Sequence, residues 1–283
     1  MIVPRADLAH DAVGHHYDEL DAFYREVWGE HVHHGFFVQG KASVAEATEA
    51  LIEQLADAAQ IAAGDRVCDV GCGYGGTARW LARHRGAHVA GLTLSEAQAA
   101  YAREQPLPEG APVPEILVRD WLANGLPDDA FDAVLAIEST THMPERPRVF
   151  AEMARVLKPG GRLTACIWMA RENPRAWEVR HLLEPICREG RLHGMGTAAE
   201  NRAWLEAAGL VIEHEADWSA QVAKTWTICI RRVAAGLIRK PEWRQFLRDA
   251  RRRDRVFTAT LLRIRLAYAT GAMRYGFIVA RKP

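Results

Sequence analysis

The chain has 283 residues, 49% hydrophobic and 25% charged, and its 36 basic and 36 acidic side chains leave no net charge. This is ordinary globular composition, without the basic balance of a nucleic-acid binder. No apolar run approaches the ~18–20 residues that cross a bilayer, the N-terminus MIVPRADLAHD has no secretory pattern, and the cysteines at 68, 72, 166, 187 and 229 are odd in number and match no zinc spacing. A cytoplasmic protein with reduced thiols is expected.

Residues 7–30 predict a polar helix carrying Tyr17, Phe23, Tyr24 and Trp28. A loop rich in His and Gly follows, HVHHGFF at 31–37. His31, His33 and His34 invite a metal, but no carboxylate pair at ligand spacing accompanies them, so none is expected. Residues 43–60 form an amphipathic helix with Ser43 as N-cap and Glu46 completing a capping box. Strand 67–70, helix 76–85, strand 88–92, helix 95–104 and strand 115–118 come next. Strand 131–137 follows the turn LPDD, helix 145–157 ends at Lys158-Pro159-Gly160-Gly161, and strand 161–168 completes the series. Five strands alternating with helices predict an α/β fold with parallel pairing and helices on both faces.

After Trp168 the alternation breaks. Residues 174–190 and 198–208 read as helix, 211–214 as a strand, roughly 220–270 as a long helical region and 275–281 as the last strand. We expect a single domain over 1–283, with its core at about 43–170 plus the two late strands. The segments at about 7–40 and 171–270 are the material for a lid over the sheet's carboxyl edge, where open α/β sheets bind ligands. Charge is uneven. Residues 1–60 hold eleven acids against three Lys and Arg, and residues 231–265 hold twelve Lys and Arg against three acids. The basic stretch reads as a solvated helix face, a patch for an anionic substrate group, or a contact for the acidic N-terminal segment. It lacks stacking aromatics and a recognition motif, so no nucleic-acid partner is expected.

The most informative segment is 67–76, VCDVGCGYGG. An apolar strand ends at Asp69, and glycines 71, 73, 75 and 76 lead into a helix. Glycines admit close backbone approach, and a helix N-terminus offers unpaired N–H donors. Gly71-x-Gly73-x-x-Gly76 also satisfies the dinucleotide pattern. Asp69 argues against it, because a carboxylate there repels a pyrophosphate and welcomes an ammonium group. The dinucleotide reading also wants an acid at the end of the second strand; here stand Leu92, Thr93, Leu94 and Ser95. A ligand with a cationic methionine end and a nucleoside end fits, and that ligand is S-adenosylmethionine.

These residues, together with Trp28-Gly-Glu-His-Val-His-His-Gly-Phe-Phe37, Gly91-Leu-Thr-Leu-Ser-Glu-Ala-Gln98, Glu138-Ser-Thr-Thr-His-Met-Pro-Glu-Arg146 and Val156-Leu-Lys-Pro-Gly-Gly161, carry a resemblance. The chain resembles class I S-adenosylmethionine-dependent methyltransferases over nearly its full length. Within them it is most similar to the branch that contains gamma-tocopherol methyltransferase-like and natural-product small-molecule enzymes. The resemblance implies a Rossmann-like seven-strand sheet with its last strand antiparallel, plus a lid built from the N-terminal helix and a helical insertion. It implies that Asp69 binds the cofactor's ammonium and that Gly71 and Gly73 hold its methionine backbone. Thr93, Leu94 and Gln98 would meet the ribose hydroxyls and the methionine carboxylate. Asp120 would accept from the adenine amino group, and Trp121 would cover the adenine ring. Tyr17, His34 and Phe36 would belong to the lid.

Glu138 and His142 close the fourth strand, the edge that faces the transferred methyl group in this family. His142 is the candidate general base, and Glu138 shares the role if an apolar pocket raises its pKa. Related sugar methyltransferases carry two adjacent histidines here and an acid on the fifth strand. This chain has Thr141 and Ile167 instead, and Ala165-Cys-Ile-Trp168 suits an apolar acceptor. The expected activity is methyl transfer to a lipophilic small molecule, to carbon first, with oxygen or nitrogen as the alternative. An NAD-dependent oxidoreductase and an inactive cofactor-binding partner protein are the other classes, and a homo-oligomer stays open.

Overall fold

The structure is a computed structural model that describes residues 1–4, 13–14, 18, 21–38, 42–248 and 257–283. Tyr17 lies outside the described residues. The alternation read in the sequence builds strands β1 (Arg66–Val70), β2 (His88–Thr93), β3 (Glu115–Val118), β4 (Phe131–Ile137) and β5 (Leu157–Ala170). β6 (Val211–Asp217) and β7 (Met273–Arg281) complete one sheet in the order β3-β2-β1-β4-β5-β7-β6. The strands from β1 to β5 pair in parallel. β7 runs antiparallel to both β5 and β6. The seven-strand sheet with an antiparallel last strand is therefore as expected.

Successive side chains of a strand point to opposite faces, and β1 divides its residues accordingly. Val67 packs with Leu51, Ile52 and Leu55 on one face, while Cys68 and Val70 pack with Val149, Phe150 and Met153 on the other. Each such side chain, fully buried, contributes roughly 1.5–3 kcal/mol. The first group comes from helix α2 (Val44–Ala58), whose capping box forms as read: Glu46 N–H donates to Ser43 Oγ, and Ser43 N–H to the Glu46 carboxylate. The second comes from α5 (Arg146–Val156). Helices α3 (Gly76–Arg85) and α4 (Glu96–Glu104) join the first face. All five cysteines are buried and unpaired.

The second half departs from the sequence reading in detail. Residues 174–190 contain a π-helical stretch, Val179–Leu183, between α6 (Ala176–Glu178) and α7 (Glu184–Glu189). After α8 (Ala198–Ala207) and β6, the region expected as one long helix is divided into α9 (Ser219–Val222), α10 (Lys224–Arg239), α11 (Pro241–Arg248) and α12 (Phe257–Thr270). Pro241 supplies the break before α11, since it has no N–H to continue the ladder of α10. Tyr24 and Val27 of α1 (Asp21–Val27) pack with Trp28, Leu183, Ile186, Trp226, Leu261 and Ile264 in a third apolar cluster. The N-terminal helix and the insertion thus share one layer above the sheet.

Part of the segment expected as lid is tied into the molecule. Gly35 N–H donates to Thr225 Oγ1 (3.1 Å), Phe36 N–H to the Ala47 carbonyl (2.7 Å) and Phe37 N–H to the Gln221 carbonyl (3.0 Å).

Candidate active site

The strand order reverses between β1 and β4, and open α/β sheets bind ligands at such a switch point. Gly71 leaves β1 at φ +80°, and a Cβ there would lie 2.4 Å from Ser139 Cβ, so this position admits only glycine. Cys72 N–H then donates to the Leu92 carbonyl (2.8 Å) and Gly75 N–H to the Cys72 carbonyl (2.9 Å), which folds the loop onto β2 and starts α3. Asp69 is 2% exposed, and its Oδ2 has no hydrogen-bond partner. Burial pushes its pKa up to about 7.

At the end of β2 the expected residues form a small polar network. Thr93 Oγ1 donates to Gln98 Oε1 (2.8 Å), Ser95 N–H to Thr93 Oγ1 (3.2 Å) and Gln98 N–H to Ser95 Oγ (3.1 Å). Ser95 thereby caps α4. Asp18 of the N-terminal segment accepts from Ser95 Oγ. At the end of β3, Asp120 caps the short turn Trp121–Ala123 by accepting from Leu122 N–H (2.9 Å). Trp121 is buried, with its indole N–H on the Val149 carbonyl (3.1 Å).

Glu138 follows β4 at φ +59°, a left-handed conformation that is strained for a glutamate. The conformation delivers its carboxylate to four donors. Oε1 accepts from His34 N–H (2.7 Å), His34 Nδ1 (2.9 Å) and Tyr275 Oη (2.7 Å), and Oε2 accepts from Trp168 Nε1 (2.9 Å). Burial acts to raise the Glu138 pKa, but the charge and hydrogen bonds of His34, with the charge of His33, outweigh it and hold it down at about 2. The expectation that an apolar pocket raises it is therefore reversed. The histidine pair favours the charged form more than desolvation opposes it, and a carboxylate so engaged is not a base at neutral pH.

Trp226 Nε1 donates to His34 Nε2 (2.6 Å). His34 therefore bridges the two, with Nε2 on the Trp226 indole and Nδ1 on the Glu138 carboxylate. The neighbouring histidines have other settings. His33 Nδ1 donates to the His34 carbonyl (2.8 Å), and burial lowers the His33 pKa. His31 stands against the glycine loop, where a Cβ on Gly76 would lie 2.6 Å from its Nδ1. Burial, with His33 and Arg79 adding to it, lowers the His31 pKa to about 3. Among the described residues, no group of three or more His, Cys, Asp or Glu is placed to hold a metal ion.

His142 ends the short turn Thr140–His142. Its Nδ1 lies 3.2 Å from the Arg191 carbonyl. A carbonyl only accepts, so Nδ1 carries the proton, and in the neutral ring Nε2 is the basic nitrogen.

One cavity of about 1240 Å³, counting its open mouth, collects these elements. Of the residues read from the sequence, His34, Gly71, Gly73, Thr93, Leu94, Gln98, Asp120, Trp121, Glu138 and His142 line it; Asp69 lies just before the loop and does not. The sequence reading did not place Ser139 or Arg119, nor the wall of Ile186, Leu192, Thr260 and Ile264. Trp168, read as an apolar signal, lines the cavity with Trp226, and the two hold the Glu138–His34 pair. Tyr275, which completes that group, gave no signal beyond its place in the last strand.

Glycines that leave room against a helix start, an orphaned buried carboxylate oxygen and a polar floor at β2 fit a ligand with an ammonium, a carboxylate and a ribose. Fold and site together define the class, an enzyme of S-adenosylmethionine chemistry. Residues 5–238 match the family described as mycolic acid cyclopropane synthetase. The chain belongs to this family and is a class I S-adenosylmethionine-dependent methyltransferase. It is 32% identical over 288 residues to a probable chloroplastic tocopherol O-methyltransferase of Oryza sativa subsp. japonica, covering 94% of this chain and 76% of that one. It is 33% identical over 279 residues to the 27-O-demethylrifamycin SV methyltransferase of Amycolatopsis mediterranei, covering 96% and 97%. Among solved structures, the 4+2 cyclase SpnF superposes with a TM-score of 0.80 at 28% identity, over 100% of this chain and 98% of that one.

Proposed function

We propose that the protein transfers a methyl group from S-adenosylmethionine to a lipophilic small molecule, at a carbon of a prenylated or aromatic acceptor. The carrying observation is the join between the glycine cradle and an apolar chamber walled by Trp28, Trp168, Ile186, Leu192, Trp226 and Ile264. A chamber of this kind gains affinity from buried apolar area and excludes water from the reacting atoms. S-adenosylmethionine supplies a methyl group already activated by its sulfonium. The protein's work is alignment and proton removal. Asp69, buried behind the glycine loop, attracts the ammonium end by its charge, Thr93 and Gln98 meet the ribose and carboxylate, and Asp120 and Trp121 the adenine. His142 Nε2 takes the proton. Glu138, fixed by its four donors, holds the His34 segment in place and puts a negative charge beside the cavity.

Oxygen is the second reading of the target atom, favoured by a specific observation. A histidine with a defined basic nitrogen suits an acidic hydroxyl, and the tocopherol and rifamycin relatives are named for O-methylation or O-demethyl substrates. The test is incubation with methyl-labelled S-adenosylmethionine and a panel of prenylated hydroquinones, phenols and hydroxylated macrocycles, with the product's methyl group located by NMR. A new carbon–carbon bond supports the first reading, and a methoxy signal moves it to the second. Label transferred only to small hydrophilic acceptors, or to none with the substrate turned over by ring closure, overturns both.

A further inference from the structure

Three hydrogen bonds form a seam between the loop after β4 and the loop after α7. His193 N–H donates to the Thr141 carbonyl (2.9 Å), His142 Nδ1 to the Arg191 carbonyl (3.2 Å) and Arg146 Nη2 to the Gly194 carbonyl (2.8 Å). Arg146 opens α5 and is 4% exposed. Among the described residues it joins no ion pair, and its Nη1 makes no hydrogen bond within the chain. Burial lowers its pKa to about 10, which leaves it a cation at neutral pH.

A buried cation with no anion beside it is costly, and an apolar side chain of similar volume would avoid that cost. What the apolar side chain would lose is the bond to Gly194. That bond is one side of a clamp. On the other side, Ile2 and Met195 exchange two backbone hydrogen bonds of 2.8 Å. Gly194 lies close between them, since a Cβ there would fall 2.9 Å from Met1 Sδ and 3.1 Å from the Ile2 carbonyl. Within the clamped loop, Arg191 adopts φ +55° and presents its carbonyl to His142.

We infer that Arg146 is a positioning residue for His142: it holds the 191–194 loop so that the Arg191 carbonyl keeps His142 protonated on Nδ1 and basic on Nε2. The inference rests on the reading of His142 as the base. The geometry that selects the tautomer comes from a backbone carbonyl, so its precision depends on whatever fixes the loop.

The experiment is a double-mutant cycle of R146Q and H142A, with R146K alongside, measured with labelled S-adenosylmethionine and an acceptor found in the panel above. R146Q alone should lower kcat by roughly 10–100-fold, with cofactor affinity held within about twofold and the acid limb of the pH–rate profile displaced. In the H142A background the same change should alter kcat by less than about twofold, because coupled residues are not additive. R146K should recover part of the rate. Equal losses in both backgrounds overturn the inference and leave His142 its role. An H142A enzyme as fast as wild type overturns the reading of His142 and the inference with it. Should R146Q not fold, imidazole nitrogen NMR of wild type and R146K decides. An Nδ1–H tautomer in wild type that is eroded in R146K supports the inference, and an Nε2–H tautomer in wild type overturns it.

Discussion

Asp69 is buried and Glu138 partly buried at the carboxyl edge of the sheet, and their protonation diverges because Glu138 has His34 beside it while Asp69 Oδ2 has no partner. Asp69, with Oδ2 unpartnered, is pushed up to about 7 by burial. Between about pH 4 and pH 7 the ligand-free fold therefore binds more protons at this group than the unfolded chain, and its contribution to stability falls as pH rises through that window. A bound ammonium reverses the preference, so cofactor binding should expel a proton. Calorimetry of S-adenosylhomocysteine binding at pH 6, in buffers of different ionisation enthalpy, should report release of close to one proton, falling toward zero by about pH 9. Asp69→Asn should abolish the release and weaken binding by roughly 10–100-fold, for a lost charged hydrogen bond of about 1.5–3 kcal/mol. A heat of binding independent of buffer in the wild type would falsify this role. The carboxylate was legible in the sequence from its spacing to Gly71, whereas its orphaned oxygen was visible only in the fold.

The glycine loop is an element whose shape was readable and whose tolerance was not. Gly71 combines φ +80° with a would-be Cβ 2.4 Å from Ser139, which lies just past β4 and far away in sequence. Gly110 has a similar φ of +82° and nothing within 4 Å. Gly110→Ala should therefore cost only about 1–2 kcal/mol of backbone strain. Gly71→Ala should cost clearly more and disable cofactor binding, and Ser139→Gly in the same chain should return part of the loss. Denaturant midpoints and calorimetry check this; a Gly71→Ala protein as stable as Gly110→Ala removes the clash from the account. The capping box of α2 was legible for the opposite reason, since Ser43 and Glu46 meet within one turn and need no partner from elsewhere. The π-helical stretch at Val179–Leu183 has no local signature, because it is fixed by packing under the cap.

At the scale of the molecule, Glu138 joins three parts: the end of β4, which it follows, β7 through Tyr275, and the cap through His34 and Trp226. Its pKa of about 2, against an ordinary 4.5, corresponds to roughly 3 kcal/mol of stability present above about pH 4.5 and lost as pH falls toward 2. Because this junction lies between core and cap, both should unfold in one transition, with near- and far-ultraviolet circular dichroism melts superimposed. Glu138→Gln should lower stability by about 3 kcal/mol at pH 7, and the gap to wild type should close below about pH 2.5. A mutant gap that is constant from pH 7 to pH 2.5, or two separated melts, would contradict this arrangement.

The sequence by itself determined the alternation of five strands and helices, the glycine turn with its acid, the capping box and the edge motif from Glu138 to Arg146. Each of these is a local pattern, set by side-chain period, by backbone freedom or by spacing along a few residues. The resemblance implied the antiparallel last strand and the same cofactor as the glycine turn with Asp69. Only the tertiary structure decided which tryptophans face the cavity, that Glu138 is acidified rather than neutralised, that His34 bridges Glu138 and Trp226, and that Arg146 braces the loop behind His142. Those outcomes depend on contacts between residues far apart in the chain, such as Trp226 on His34, 192 positions away. Desolvation and donor count at such a junction are properties of the assembled sheet and cap, and no window of sequence contains them.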